Sequence, residues 1–103
     1  MSDQIRIRAR HRKGETKVMV LALHPMETGM RTGTDGDIVP AHYITKMTVT
    51  AAGRVVLEAR MSIAVAKDPL VSFRFRGGTP GDEIHVTWVD NRGQQASGTG
   101  AIV

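Results

Sequence analysis

Cysteine is absent from this 103-residue chain, and aromatic residues make up only 4% of it. Without cysteine there is no disulfide scaffold, no thiolate metal site and no cysteine nucleophile. No segment approaches the roughly 20 consecutive apolar residues of a membrane-spanning helix, and the first ten residues hold no apolar stretch like the core of a signal peptide. Composition alone therefore predicts a cytoplasmic protein with no membrane partner.

The charge balance is basic but modest. Fourteen Lys and Arg residues oppose ten Asp and Glu residues, which gives a formal net charge of +4. The length suits one domain, which we predict to span residues 1–103. An acidic protein, an anionic ligand and a nucleic acid are all compatible with this charge.

Apolar and polar residues alternate along most of the chain, with glycine-containing turns about every ten residues. This pattern predicts an all-β sandwich or barrel without helices. Seven or eight strands are predicted: seven cover residues 5–10, 16–23, 43–50, 54–60, 71–76, 84–89 and 94–103, and the optional eighth covers 62–68. A long loop, residues 24–40, separates the second and third strands and is a candidate for function.

The segment from Val18 to Leu23 has apolar side chains on both of its faces. One face of a strand in an antiparallel sandwich normally meets water, so this strand needs a second cover. Either the long loop folding back over the sheet or a partner subunit would provide that cover. The sequence does not indicate which face of the strand points outward.

Four potential metal ligands lie in or beside the long loop: His24, Met26, Met30 and His42. Imidazole and thioether groups suit Cu(I), so one alternative function is a periplasmic copper-binding β-sandwich protein. In the competing interpretation, His24 and Pro25 end a strand and the two Met residues fill apolar space. Because there is no alternating Met-x-Met or His-x-His pattern, we predict no metal and no other cofactor.

Catalytic constellations are missing from the sequence. No serine lies in a nucleophile elbow, and Asp35, Asp37, Asp82 and Asp90 occupy predicted turns, where Asp bonds to the local backbone. The run Gly77–Gly81 lacks the Lys, the Ser or Thr and the helix that follow a phosphate-binding loop. We therefore predict that the protein is not an enzyme.

Arginine residues alternate along the first predicted strand at Arg6, Arg8 and Arg10, and Arg74 and Arg76 add two more cations. A nucleic-acid-binding β domain would use such a stripe, but it would normally interleave stacking aromatic residues. None are interleaved here, so we predict no nucleic-acid partner. The stripe is better explained by a solvated edge strand or by docking of an acidic protein.

The order of several segments resembles the SoxZ family, subunits of the sulfur-oxidising carrier complex SoxYZ. The segments that carry the resemblance are His-Pro-Met-Glu-Thr-Gly at 24–29, Asp-Gly at 35–36, Ile-Val-Pro-Ala-His-Tyr-Ile at 38–44, Val-Val-Leu-Glu-Ala at 55–59, Asp-Pro at 68–69 and Trp-Val-Asp-Asn-Arg-Gly at 88–93. The chain departs from the family at Met61, where a Trp is expected, and in its less acidic tail from Gln95 to Val103.

The resemblance implies an immunoglobulin-like antiparallel β-sandwich that acts as a non-catalytic subunit. In that family the partner, SoxY, carries the sulfur intermediates of thiosulfate oxidation on a cysteine near the end of a flexible C-terminal arm. The resemblance therefore implies a heterodimer with a SoxY-like cysteine carrier subunit and transient docking to other Sox enzymes. It also implies a periplasmic location, reached by export with a signal-bearing partner.

We predict that the partner interface consists of the apolar strand and the loop that follows it. The predicted interface residues are Met19, Leu21, Leu23, His24, Pro25, Met26, Glu27, Thr28 and Gly29. A second prediction concerns the cations Arg6, Arg8, Arg74 and Arg76, which would steer anionic partner enzymes toward the complex.

Overall fold

The computed structural model describes residues 4–103, so the first three residues of the predicted domain lie outside the described part. Seven strands follow one another: β1 (Ile5–Arg12), β2 (Glu15–Ala22), β3 (Ile44–Ala51), β4 (Arg54–Arg60), β5 (Leu70–Arg76), β6 (Glu83–Asp90) and β7 (Gln95–Ala101). Each agrees with a predicted strand to within a few residues. The optional eighth strand at 62–68 was wrong, because the chain turns here: the Oγ of Ser62 accepts the N–H of Ala64, and the Ser62 carbonyl accepts the N–H of Val65.

The strands form two antiparallel sheets, one with the order β1-β2-β5 and the other with the order β4-β3-β6-β7. The chain changes sheet after β2, after β4 and after β5, which is the connectivity of an immunoglobulin-like sandwich. The predicted fold class is therefore confirmed. The described residues contain no helix, and hence none long and apolar enough to cross a membrane.

The core lies between the two sheets and is built from alternate residues of the strands. In β2, Val18 and Val20 are fully buried, whereas Lys17, Met19 and Leu21 point to the other side of the sheet. Burying one such aliphatic side chain stabilises the fold by roughly 1.5–3 kcal/mol. The largest fully buried apolar side chains are Ile44, Met47, Ile84, Ile102, Val18, Val20, Val49 and Val86.

One margin of the sandwich is closed by the end of the chain. After β7, Ile102 forms a parallel bridge with Ala9, and the N–H of Val103 donates to the carbonyl of Ala9 at 2.9 Å. Gly98 and Gly100 face the interior of the sandwich, and a Cβ at Gly98 would lie 3.1 Å from the Cβ of Ile5. Glycine at these positions therefore lets β7 approach β1 closely.

The predicted long loop pairs with itself. Glu27 and His42 exchange two backbone hydrogen bonds of 2.6 and 2.9 Å, and a second bridge joins Thr32 to Ile38. Residues 27–42 therefore form an irregular two-stranded ribbon, and none of its residues from 30 to 40 is buried.

Candidate functional site

The predicted interface strand has a defined outward face. Met19 and Leu21 alternate with the buried residues Val18, Val20 and Ala22, and their half-buried side chains lie on the outer side of the three-stranded sheet. Leu70 of β5 lies opposite Leu21 in the strand register and is 59% exposed. We call Met19, Leu21 and Leu70 the apolar patch. The structure thus shows which face of β2 points outward, a question that the sequence left open.

The loop part of the predicted interface divides into buried and accessible residues. His24 and Met26 are 3% and 4% exposed, so their side chains belong to the interior. Pro25 is exposed, and Leu23, Glu27, Thr28 and Gly29 are half-buried. Only these latter residues can present side-chain or backbone atoms to another protein in this conformation.

Glu27 is held by an ion pair at the base of the ribbon. The guanidinium of Arg31 donates to both carboxylate oxygens of Glu27, at 2.7 and 3.1 Å. This hydrogen bonding, together with the charge of Arg31, lowers the pKa of Glu27 below its ordinary value. The carboxylate is therefore ionised and positioned at neutral pH.

Two histidines and an aspartate from distant parts of the chain meet at one end of the sandwich. The Nε2 atoms of His24 and His42 lie 3.1 and 2.8 Å from Oδ2 of Asp90. The two imidazole rings contact each other edge to face, with centroids 4.5 Å apart, and His24 also meets Trp88 edge to face at 5.0 Å. We call His24, His42 and Asp90 the His–Asp cluster.

The hydrogen bonds around the cluster fix the positions of the ring protons. The backbone N–H of Met26 donates to Nδ1 of His24 at 3.1 Å, so the neutral His24 ring carries its proton on Nε2 and donates it to Asp90. Nε2 of His42 faces two acceptors, Asp90 Oδ2 and Gln94 Oε1, the latter at 3.1 Å. It therefore carries a proton as well.

Asp90 is buried at the end of β6, and both oxygens of its carboxylate accept hydrogen bonds. Oδ2 accepts from the two histidines, and Oδ1 accepts the N–H groups of Arg92 and Gln94 at 3.0 and 2.9 Å. Burial alone would raise the pKa of Asp90, but the hydrogen bonds from His24, His42, Gln94 and Arg92 together lower it below its ordinary value. The cluster is thus a satisfied polar network around one carboxylate.

The copper ligands considered from the sequence are only partly brought together. His24, His42 and Met26 lie in one region, where Sδ of Met26 accepts the N–H of Ile44 at 3.3 Å. Met30 is 74% exposed on the ribbon, apart from these buried groups. The His–Asp cluster has the ligand types of a metal site, but a metal would have to displace the protons that both histidines already donate to Asp90.

Sequence reasoning placed Asp90 in a turn and missed its second role. The turn is confirmed, since Oδ1 of Asp90 accepts the backbone N–H groups of Arg92 and Gln94. The missed signal is alternation: Ile84, Val86 and Trp88 all point inward, and Asp90 is the next residue in that series. A buried aspartate needs hydrogen-bond partners, and His24 and His42 beside the loop could have been identified as such partners.

The arginines predicted to steer anionic partners share the face that carries the apolar patch. Arg6 lies opposite Leu21 and Arg8 lies opposite Met19 in the register of β1 and β2. Arg74 and Arg76 belong to the outward series of β5, and all four arginines are exposed. Two predictions made separately from the sequence therefore concern one continuous surface.

A family model described as Sulphur oxidation protein SoxZ matches residues 5–101 of the chain. No curated protein matches the sequence. The matched segment begins with β1, ends with β7 and includes the ribbon, the apolar patch and the His–Asp cluster.

Proposed function

Because the chain belongs to the SoxZ family of sulphur-oxidation proteins, we propose that it is the non-catalytic scaffold subunit of a two-subunit sulfur carrier. Its partner is a SoxY-like subunit whose C-terminal cysteine arm holds the intermediates of thiosulfate oxidation. The heterodimer works in the periplasm, to which this chain is exported with its signal-bearing partner. Cell fractionation with and without the partner's signal peptide measures that location.

The composition supports a scaffold role beside a reactive thiol. A second thiol near the carrier cysteine would capture the sulfur cargo by thiol–disulfide exchange. This chain contains no cysteine, so it can hold the base of the partner's arm without competing for the cargo. The His–Asp cluster also supports this role, because its polar atoms are engaged with one another and hold the fold together.

The apolar patch is the observation that carries the proposal. Met19, Leu21 and Leu70 place aliphatic and thioether groups on the outer face of a sheet, where water would otherwise meet them. Contiguous apolar surface of this kind marks a protein contact in small proteins. The accessible loop residues Pro25 and Thr28 follow β2 in the chain and extend the predicted contact toward the ribbon.

Co-purification of the chain with the SoxY-like subunit tests the proposal. Leu21→Asp places a charge in the centre of the apolar patch and is expected to abolish co-purification while the isolated subunit stays folded, because the side chain points outward. Thr48→Asp is the matched control, since Thr48 is half-buried on the outward face of β3 in the other sheet. This control is expected to retain the partner.

Val20→Asp provides the reference for misfolding, because Val20 is fully buried. It is expected to lose the cooperative thermal transition that Leu21→Asp keeps. If a folded Leu21→Asp protein still binds the SoxY-like subunit as strongly as the unmodified chain, the apolar patch is not the contact. If the unmodified chain fails to bind any SoxY-like subunit, the proposed function itself is overturned.

A further inference from the structure

The outer face of the three-stranded sheet becomes strongly cationic away from the apolar patch. Lys17 lies directly between Arg10 and Arg74 in the register of the three strands, and all three side chains are exposed. In the next row, Glu15 lies between Arg12 and Arg76. We call these two rows the basic end. Its surface includes a groove of about 370 Å³ lined by Arg10, Arg12, Lys13, Glu15, Lys17 and Arg74.

The row of Arg10, Lys17 and Arg74 works against folding. Like charges directly opposite each other on neighbouring strands are destabilising, and this row places two such pairs side by side. None of the ion pairs found within residues 4–103 involves a cation of the basic end. Glu15 is the single carboxylate within the two rows and forms none of these ion pairs, so an external anion would relieve the repulsion.

The shape and chemistry of the basic end favour a protein as the source of that anion. A single-stranded nucleic acid would need aromatic side chains for base stacking, but Phe73 and Phe75 occupy the inward series of β5. The major groove of a duplex admits a helix or a two-stranded ribbon, whereas the basic end is the face of a three-stranded sheet. A folded protein can instead set a negatively charged surface against this positively charged one.

We propose that the basic end is a docking surface for a folded protein that presents a cluster of carboxylates. The contact is transient and electrostatically steered, because exposed arginine and lysine side chains raise association rates more than they raise affinity. It is separate from the apolar patch, which the SoxY-like subunit covers under the proposed function. The carrier complex can then hold its partner subunit and visit an acidic protein at the same time.

The test uses poly-L-glutamate as a carboxylate probe and duplex DNA of equal charge as a phosphate probe. Binding to the full chain is measured by fluorescence anisotropy over a salt series. The unmodified chain is expected to bind poly-L-glutamate more tightly than DNA and to lose affinity as salt rises. The variant Arg10→Glu/Lys17→Glu/Arg74→Glu is expected to bind poly-L-glutamate at least about tenfold more weakly.

A matched control carries the same change in net charge elsewhere on the surface. Arg54→Glu/Arg60→Glu/Lys67→Glu alters three exposed cations outside the outer face and is expected to keep most of the binding. Equal loss in both triple variants would mean that net charge alone attracts the probe, and preference for DNA would mean a nucleic-acid surface. Either result overturns the proposal.

Two further measurements separate docking from folding and from the heterodimer. Neutralising the row, Arg10→Gln/Lys17→Gln/Arg74→Gln, is expected to weaken poly-L-glutamate binding, though less than the three glutamates do, while raising Tm by about 2–5 °C, because the cross-strand repulsion is removed. The same variant is expected to co-purify normally with the SoxY-like subunit. If it loses that subunit, the basic end belongs to the heterodimer interface and the separate docking surface is excluded.

Discussion

At the residue scale, one carboxylate joins three segments that are distant in the sequence. Asp90 at the end of β6 binds His24, which follows β2, and His42, which precedes β3. His24 is tied again through its backbone N–H to Oδ1 of Asp68, just before β5. The network anchors both ends of the ribbon to the sandwich, which gives these residues a structural role without a catalytic or metal site.

We expect Asp90→Asn to destabilise the protein by roughly 1–3 kcal/mol, because an amide cannot accept hydrogen bonds from both histidines at the replaced oxygen. Asp82→Asn is the matched control: Asp82 also accepts a backbone N–H in a turn, from Thr79, but has no histidine partner. Urea unfolding at neutral pH measures both changes. Equal losses in the two variants would contradict a special role for the His–Asp cluster.

Because the pKa of Asp90 is lowered in the folded protein, we expect the free energy of unfolding to decrease at acid pH. The pKa of Asp90 is lowered in the folded protein, so its contribution is fully present above the unfolded pKa, about 3.9, and is lost as pH falls through the folded value. Urea unfolding between pH 3 and pH 6 should therefore show a steeper loss of stability for the unmodified protein than for Asp90→Asn. Parallel curves would assign the acid sensitivity to other groups.

At the element scale, the two tightest hairpins depend on backbone conformations that L-residues rarely adopt. The β1–β2 turn places Lys13 and Gly14 at positive φ, and the β3–β4 turn does the same with Ala52 and Gly53. Two consecutive residues at positive φ are typical of the type I′ turn, in which Asn-Gly is the preferred pair. Ala52 therefore occupies a position that its side chain disfavours.

Ala52→Asn should stabilise the protein by about 0.5–1 kcal/mol, since asparagine tolerates the left-handed conformation better than alanine. The exposed position leaves room for the longer side chain. Ala66→Asn, at an exposed residue without positive φ, is the control and should give no gain. A gain of equal size at both positions in urea unfolding would show that the turn conformation is not the cause.

At the scale of the whole molecule, the fold is elongated rather than spherical. Its radius of gyration is 15.3 Å and its principal extents are 53 × 24 × 18 Å, whereas a compact domain of this size has a radius of gyration of roughly 13 Å. An exposed ribbon and a sandwich whose sheets meet closely at one margin are consistent with this shape. The close approach of β1 and β7 in turn depends on Gly98 and Gly100.

Gly98→Val is expected to destabilise the fold by about 1–3 kcal/mol, because the added side chain would overlap Ile5 and push the sheets apart. Thr99→Val is the neighbouring control, since Thr99 points outward and is exposed. Thermal unfolding compares the two variants. A Gly98→Val protein as stable as the unmodified chain would mean that β1 moves away at little cost.

The amino-acid sequence was sufficient to locate the seven strands along the chain and to predict an all-β sandwich or barrel, because alternation with period two and glycine-containing turns are local signals. The sequence also shows that these 103 residues carry no cysteine thiol in any conformation. It correctly identified β2 as a strand with two apolar faces, and the SoxZ segments along the chain agree with the family match.

Contacts between residues distant in the sequence became known from the three-dimensional structure. His24 and Met26, two of the predicted interface residues, are buried and hydrogen-bonded to Asp90 and Ile44, which are far from them in the sequence. Their part in a partner interface stays a prediction. Likewise, the arginines and the apolar patch were separate patterns until the register of β1, β2 and β5 placed them on one face. Non-local register is set by the packing of the whole core, so no local pattern could have shown it.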